Sequence, residues 1–467
     1  MSELVLPDDV TVVNVGLPMF AEAVRAQGAP VQQVDWRIPA GGDRAMVATL
    51  EHLHGDAAAG IDAANAEVVR RLNDGVPQLV GVTTVNTAVP GVTGRMLLHC
   101  GPSLPYPQHC DPLQRSLRAA TVAEGWADGV EKAEQLLVSG AITLDAAHHH
   151  DTVVPMASAI GPSAPVLVVE NAEGGTRAFA PLNQGPGDVA WFGRDTDAAI
   201  ARLRFLAATA GPTIAAIVAR AGPLDVLTVA AQGIEMGDDL HMRTQAATNL
   251  LTRTWLPHIA ALPGTVREPF AAYLAGNHLF FLNLAMAAAK SLQLSAEQVP
   301  GSSIVTTMAR NGTTFGIKLA GSPTWYVTGA PPVGEALYNA GQGPETAAPD
   351  IGDSAVLELT GMGGPAAGNS PAVASFLGGT MADAAAATEG YRAICVGTSR
   401  RFTLPAMGFR GTPLGVDARL VVELGITPKV TTGILHASDG SGQIGAGVAT
   451  APLDCFVAAL HDLAERT

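Results

Sequence analysis

The chain has 467 residues, enough for about three domains of ordinary size and for sizeable buried cores. Acids outnumber lysines and arginines 42 to 27, a net charge of −15, which excludes the phosphate-neutralising surface of a nucleic-acid binder. Apolar residues make up 48%, yet no run of about 18 of them escapes Gly, Pro or charge, so no membrane span is expected. The opening residues 1–9 carry acids where a signal peptide needs bases, which points to the cytoplasm. Cys100, Cys110, Cys395 and Cys455 form no CxxC and fit reduced thiols, so neither a zinc knuckle nor a redox dithiol is suggested, and no cofactor is expected.

In chain order, residues 10–15 read as a short apolar strand ended by Gly16. A helix follows over 19–26 with Gly28 as its C-cap, then a strand over 31–36 and a loop over 37–43. An amphipathic helix is predicted over 61–73 and a third strand over 77–85. Strand–helix–strand alternation implies parallel pairing and right-handed crossovers, a Rossmann-like unit with Asp35 where a ribose-binding acid would sit. The first turn is Asn14-Val-Gly-Leu-Pro, however, and lacks the glycines that let a pyrophosphate approach, so NAD binding is not expected.

Further on, 115–140 reads as helical, 146–152 holds a histidine run, and 165–170 is strand-like. Residues 196–255 read as helical with breaks at Gly211-Pro212 and Gly222-Pro223, and 280–290 as another helix. The texture then changes to short strands and Gly/Pro turns. The fold class is α/β plus α+β. It comprises a Rossmann-like parallel unit over 1–112, a central mainly helical region over 113–290, and a C-terminal α+β domain over 291–467.

Three constellations could carry chemistry. In an extended segment, His148 and His150 share a face while His149 points away; two convergent imidazoles suit acid–base work, anion binding or a metal. The bland alternative is a hydrogen-bonded histidine patch. In a helical 236–249, Asp238, His241 and Gln245 share a face, and Asp239 pairs with Arg243 on the surface. Finally, glycine-laced segments over 308–316, 349–355, 409–417 and 436–445 hold isolated polar groups in a chain that is only 15% charged. Asn311-Gly312 reads as a tight hairpin turn that presents Arg310 to a carboxylate or phosphate. Arg410 precedes another such turn, and 440–445 offers backbone N–H groups as an anion nest around Gly442. Each segment is also an ordinary turn. No P-loop, HExxH helix or GxSxG elbow occurs.

The segments Asn14-Val-Gly-Leu, Leu98-His-Cys-Gly-Pro, the His148–His150 run, Ala309-Arg-Asn-Gly-Thr, Pro349-Asp-Ile-Gly-Asp-Ser, Phe409-Arg-Gly-Thr-Pro and Gly442-Gln-Ile-Gly-Ala-Gly resemble the YlbE-like family across nearly the whole chain. Members are encoded beside FdrA-like proteins in anaerobic allantoin breakdown. The resemblance implies one subunit of an oxamate carbamoyltransferase, converting oxalurate and phosphate to oxamate and carbamoyl phosphate in a hetero-oligomer with an FdrA-like partner. The chemistry of the residues then assigns proton transfer to His148, His150 or His241. Substrate binding falls to Arg310, Asn311, Gly312, Asp353, Arg410, His436 and Gly442, with Arg310 and Arg410 as two cationic grips in one cavity. Two other readings remain: a non-catalytic metabolite-binding scaffold subunit, and a metal-dependent amidohydrolase built on the histidine run.

Overall fold

A computed structural model describes residues 11–34, 38–375, 377 and 379–467. At the N-terminus Val12–Val15 and Val31–Val34 pair in parallel, Val12 opposite Val31, joined by the helix Pro18–Ala26. Pro18 opens that helix, where a missing N–H costs nothing, and Gly28 leaves it at φ +82°. Asp35 lies outside the described residues.

The parallel unit stops at two strands, which corrects the expected third. Pro77–Thr84 instead runs antiparallel to Pro165–Asn171, with Thr176–Pro181 beyond it and Leu224–Asp225 on the other edge. The reason lies in burial. Val166, Leu167, Val168 and Val169 form a continuous apolar run buried on both faces, and such a strand needs a long partner inside the core. A smaller sheet places Met96–His99 between Thr143–Ala146 and Ala159–Ile160.

The helix Phe280–Ala296 crosses the larger sheet with nearly every residue buried. Before it come Gly211–Ala221, Val226–Glu235 and Gln245–Ala260. The break expected at Gly211-Pro212 does not occur. The stretch Asp197–Ala221 continues through a π turn at Leu206–Ala210, and the widened turn absorbs the hydrogen bond Pro212 cannot donate. Among the described residues this is the one unbent helix long and apolar enough to cross a membrane by length and composition; it packs against Pro77–Thr84 and Gln245–Ala260. The break at Gly222, φ +82°, is present. Residues 236–243 form a loop between two helices, so the shared helical face of Asp238, His241 and Gln245 does not exist. Asp238 instead accepts from the N–H groups of Ala246 and Ala247 at the start of the next helix, and Asp239 accepts the backbone N–H of Arg243.

The C-terminal third builds the hairpin Val305–Asn311/Thr314–Leu319, flanked by Tyr326–Gly329 and Ile351–Gly352. A three-stranded sheet orders Val333–Tyr338, Gln443–Thr450 and Lys429–Leu435, and Cys395–Leu404 pairs with Arg410–Val416. The molecule thus combines a parallel N-terminal unit, a helical middle and a C-terminal α+β part. The cores do not respect residues 112 and 290: one cluster joins Val68, Leu97, Phe179, Phe281, Ile304 and Leu435. A second joins Leu53 and Ile61 to Phe315, Val421 and Phe456.

Candidate functional site: a buried polar hub

The Val305–Asn311 strand carries Arg310 as its penultimate residue, 0% exposed. Its Nε and Nη2 donate to the two carboxylate oxygens of Asp350 at 2.7 and 3.0 Å, and Nη1 donates to Gly352 O at 2.8 Å. Burial works against the cation, and Asp350 more than offsets it. This guanidinium therefore clamps the 349–355 segment and is not free to grip substrate. Asn311 makes the turn: Oδ1 accepts from Thr313 and Thr314 N–H, and Nδ2 donates to Pro102 O. Gly312, φ +79°, closes it, because a Cβ there would lie 2.4 Å from Cys110 Sγ.

Asp353 ties two further loops to this clamp. It accepts from Gly101 N–H at 2.8 Å and Val154 N–H at 3.0 Å, and burial lifts its carboxyl to about 7 against those donors. His148 Nε2 lies 3.6 Å from Asp353 Oδ1, and both ring nitrogens are buried without a hydrogen-bond partner among the described residues. Burial, then the charges of Lys290 and Lys318, holds this imidazole well below its ordinary value, hence neutral. Trp325 covers it edge-on, ring centroids 5.8 Å apart.

The histidine run is a tight 3₁₀ turn, Ala147–His150, not an extended segment, and this reverses the expected pairing. His148 and His150 are both buried, His148 toward Asp353, and only His149 is exposed. His149 and His150 both turn to Asp145, at 2.8 and 3.0 Å. Asp145 sits below the usual carboxylate range: burial pushes it up, but hydrogen bonds from His149, Ser103 and Ala146 N–H outweigh that. His150 Nδ1 meets Pro90 O at 2.7 Å, so this ring has a structural part on both sides.

Two lysines complete the hub, and sequence reasoning missed both. Lys290, 1% exposed, donates to Glu297 Oε1 at 2.9 Å, and Lys318 Nζ stands 3.8 Å from Oε2. Burial raises Glu297, but the two ammonium groups hold it below the ordinary value; burial pushes Lys318 down. Two cations share one carboxylate at ion-pair distance, with the Asp151 carboxyl also within their electrostatic reach, and both lysines act on His148. The missed signal was legible: Lys290 is the single charge in Phe-Phe-Leu-Asn-Leu-Ala-Met-Ala-Ala-Ala-Lys-Ser-Leu-Gln-Leu-Ser-Ala, a helix otherwise fit for a core. Lys318 and Glu297 keep 17% side-chain exposure, which gives the hub a wet edge.

At the other end His241 Nδ1 meets Glu358 Oε1 at 2.6 Å, and Glu358 and Asp353 both lie within the electrostatic reach of Arg310. Glu358 Oε2 is buried without a partner among the described residues. His241, Arg310, Asn311, Gly312, Asp353 and His148 are thus brought to one buried polar band.

Arg410, His436 and Gly442 are not. Arg410 is half exposed and pairs with Glu389 at 2.9 Å on the Cys395–Leu404/Arg410–Val416 ribbon. His436 Nδ1 accepts the N–H groups of Ser438 and Asp439, capping its own turn. Gly442 O receives His436 N–H, and Ser441 N–H goes to Asp439, so one donor of the expected anion nest is spent internally. The two-arginine cradle is therefore not assembled: one guanidinium is consumed by Asp350, the other faces solvent. Among the described residues no group of three His, Cys, Asp or Glu is spaced to hold a metal ion.

Residues 142–354, which contain most of this hub, match the family model of the oxamate carbamoyltransferase subunit AllG. The Escherichia coli K12 protein of that name is 37% identical over 407 residues, covering 86% of this chain and 97% of its own length. The uncharacterized protein YahG of the same organism is 33% identical over 470 residues, with 100% of this chain and 99% of its own length covered. A crystal structure of a conserved protein of unknown function from Enterococcus faecalis V583 superposes with a TM-score of 0.85 at 32% identity, over 87% of this chain and 98% of that one. The chain belongs to the AllG family.

Proposed function

We propose that this protein is one subunit of a carbamoyltransferase complex, acting with an FdrA-like partner on a ureido acid such as oxalurate, and that the buried hub is its chemical centre. The reading draws on the name carried by its Escherichia coli relative and on one observation. A neutral histidine whose two nitrogens have no hydrogen-bond partner among the described residues lies beside a carboxyl near 7 and two lysines that share a single glutamate.

In the transfer, a phosphate oxygen bonds to the carbamoyl carbon of oxalurate, forming a tetrahedral oxyanion. The bond from that carbon to the oxamate nitrogen then breaks, giving oxamate and carbamoyl phosphate. Both substrates are anions and the intermediate gathers further negative charge. The ammonium groups of Lys290 and Lys318 stabilise that charge in a site of low dielectric. The nucleophile arrives as hydrogen phosphate and must lose a proton, while the departing nitrogen must gain one. Neutral His148 accepts the first and delivers the second, with Asp353 stabilising the imidazolium between.

The test is phosphate-dependent formation of carbamoyl phosphate by this chain reconstituted with its partner. His148→Ala and Lys290→Met are each expected to lower kcat about 100-fold or more, with assembly retained. Full activity in both variants would make this chain a scaffold and leave the chemistry to the partner.

A further inference from the structure

Away from the hub, a cavity of about 260 Å³ opens between the helix Asp111–Ala123 and the stretch Asp197–Ala221. Its walls are apolar: Ala120, Ile160, Leu182, Leu203, Leu206 and Ala208. One wall is the π turn Leu206–Ala210, an irregularity that keeps a helix backbone in a costlier form and is often found at ligand sites. Small apolar cavities with a few convergent polar groups are the usual form of a small-molecule site.

The polar side chains here are Glu124, Ser163, Gln184 and Arg204, and the two charged ones differ in sign. Glu124 lies over Gly161, where any Cβ would meet its carboxyl at 2.5 Å, so glycine keeps the place open for that side chain. Its oxygens accept only from Ser163 N–H and Oγ–H; among the described residues no cation lies within ion-pair distance of it. Burial raises its pKa, a cost that a cationic partner would relieve. Gln184, which also lines the cavity, is 4% exposed and spends Oε1 on Trp191 N–H, leaving Nε2 unclaimed among the described residues. Arg204 donates one N–H to Val122 O and stands at the rim with the rest of its fork.

We propose that this cavity binds a small apolar α-amino acid, its ammonium on Glu124, its carboxylate on Arg204 and Gln184, and its side chain among Ile160, Leu182 and Leu206. This inference is independent of the carbamoyltransferase reading and makes a second site on the chain.

Isothermal titration of the full-length protein tests it with three probes: L-leucine, its deaminated form 4-methylpentanoate, and its decarboxylated form 3-methylbutylamine. L-leucine is expected to bind at least about 10-fold tighter than either half. Glu124→Gln should bring leucine down to the level of 4-methylpentanoate, and Ala208→Trp, which fills the cavity, should abolish binding. Because Ala208→Trp can disturb the helix, the Glu124→Gln result stands alone, with circular dichroism confirming its fold. Leucine binding no tighter than the two halves, or undiminished in Glu124→Gln, overturns the proposal.

Discussion

Arg310 and Arg410 are the same residue type, but Arg310 precedes a hairpin turn whereas the turn expected after Arg410 is a strand, Arg410–Val416, and their environments differ as much. Arg310→Ala leaves the Asp350 carboxylate buried without its partner, and the expected cost is about 3–5 kcal/mol in urea denaturation. Arg410→Ala removes only an exposed pair with Glu389, so stability should move by less than about 1 kcal/mol and activity should not change. Asp353 yields a pH prediction. Its folded carboxyl, near 7, holds a proton more tightly than in the unfolded chain. Its stabilising contribution is therefore present at low pH and lost as pH rises through about 7. Asp353→Asn removes that linkage. Compared by denaturation at pH 4.5 and 8, wild type should lose stability relative to the variant by about 3 kcal/mol. Equal pH slopes in the two proteins would mean that Asp353 does not titrate as described.

Among the elements, the hairpin at Asn311-Gly312 was legible because its signal is local: Asx hydrogen bonds and a positive φ are properties of neighbouring residues. The histidine turn was not. Whether three histidines run extended or close a 3₁₀ turn depends on Asp145 and Asp353, which no periodicity in the run encodes. Gly101 shows how closely the loops of the hub approach. At φ +73°, a Cβ there would fall 2.6 Å from the backbone of Arg310 and Asn311. Gly101→Ala should cost about 3 kcal/mol or more, combining left-handed strain with overpacking. Gly94→Ala, φ +57° with open space around it, should cost only about 1–2 kcal/mol. Similar losses at both sites would remove the argument for a tight loop contact.

For the whole molecule, the Val12–Val34 unit makes its larger contacts within itself, while Arg44–His54 and Ala58–Asp74 pack into the C-terminal core. A chain beginning at Ile38 should therefore keep a thermal midpoint within a few degrees of the full protein. A collapse of the midpoint would show that the N-terminal unit braces the rest. The cores crossing residues 112 and 290 have a related meaning. Composition changes mark where the texture of the chain alters, but burial is decided by which faces meet. Helices near residue 60 found theirs against Phe315 and Phe456.

The sequence alone determined the alternation of helix and strand, the parallel opening unit, the Asn-Gly hairpin, the helix stop at Gly28 and the family resemblance. Each is written in adjacent residues or in motifs read as strings. Tertiary structure alone decided that Arg310 is a clamp, that His148 turns to Asp353 while His149 and His150 turn to Asp145, and that Lys290 and Lys318 meet over Glu297. The physical reason is that the role of a charge is set by its solvent and its partner. For Arg310 that partner stands 40 residues along the chain.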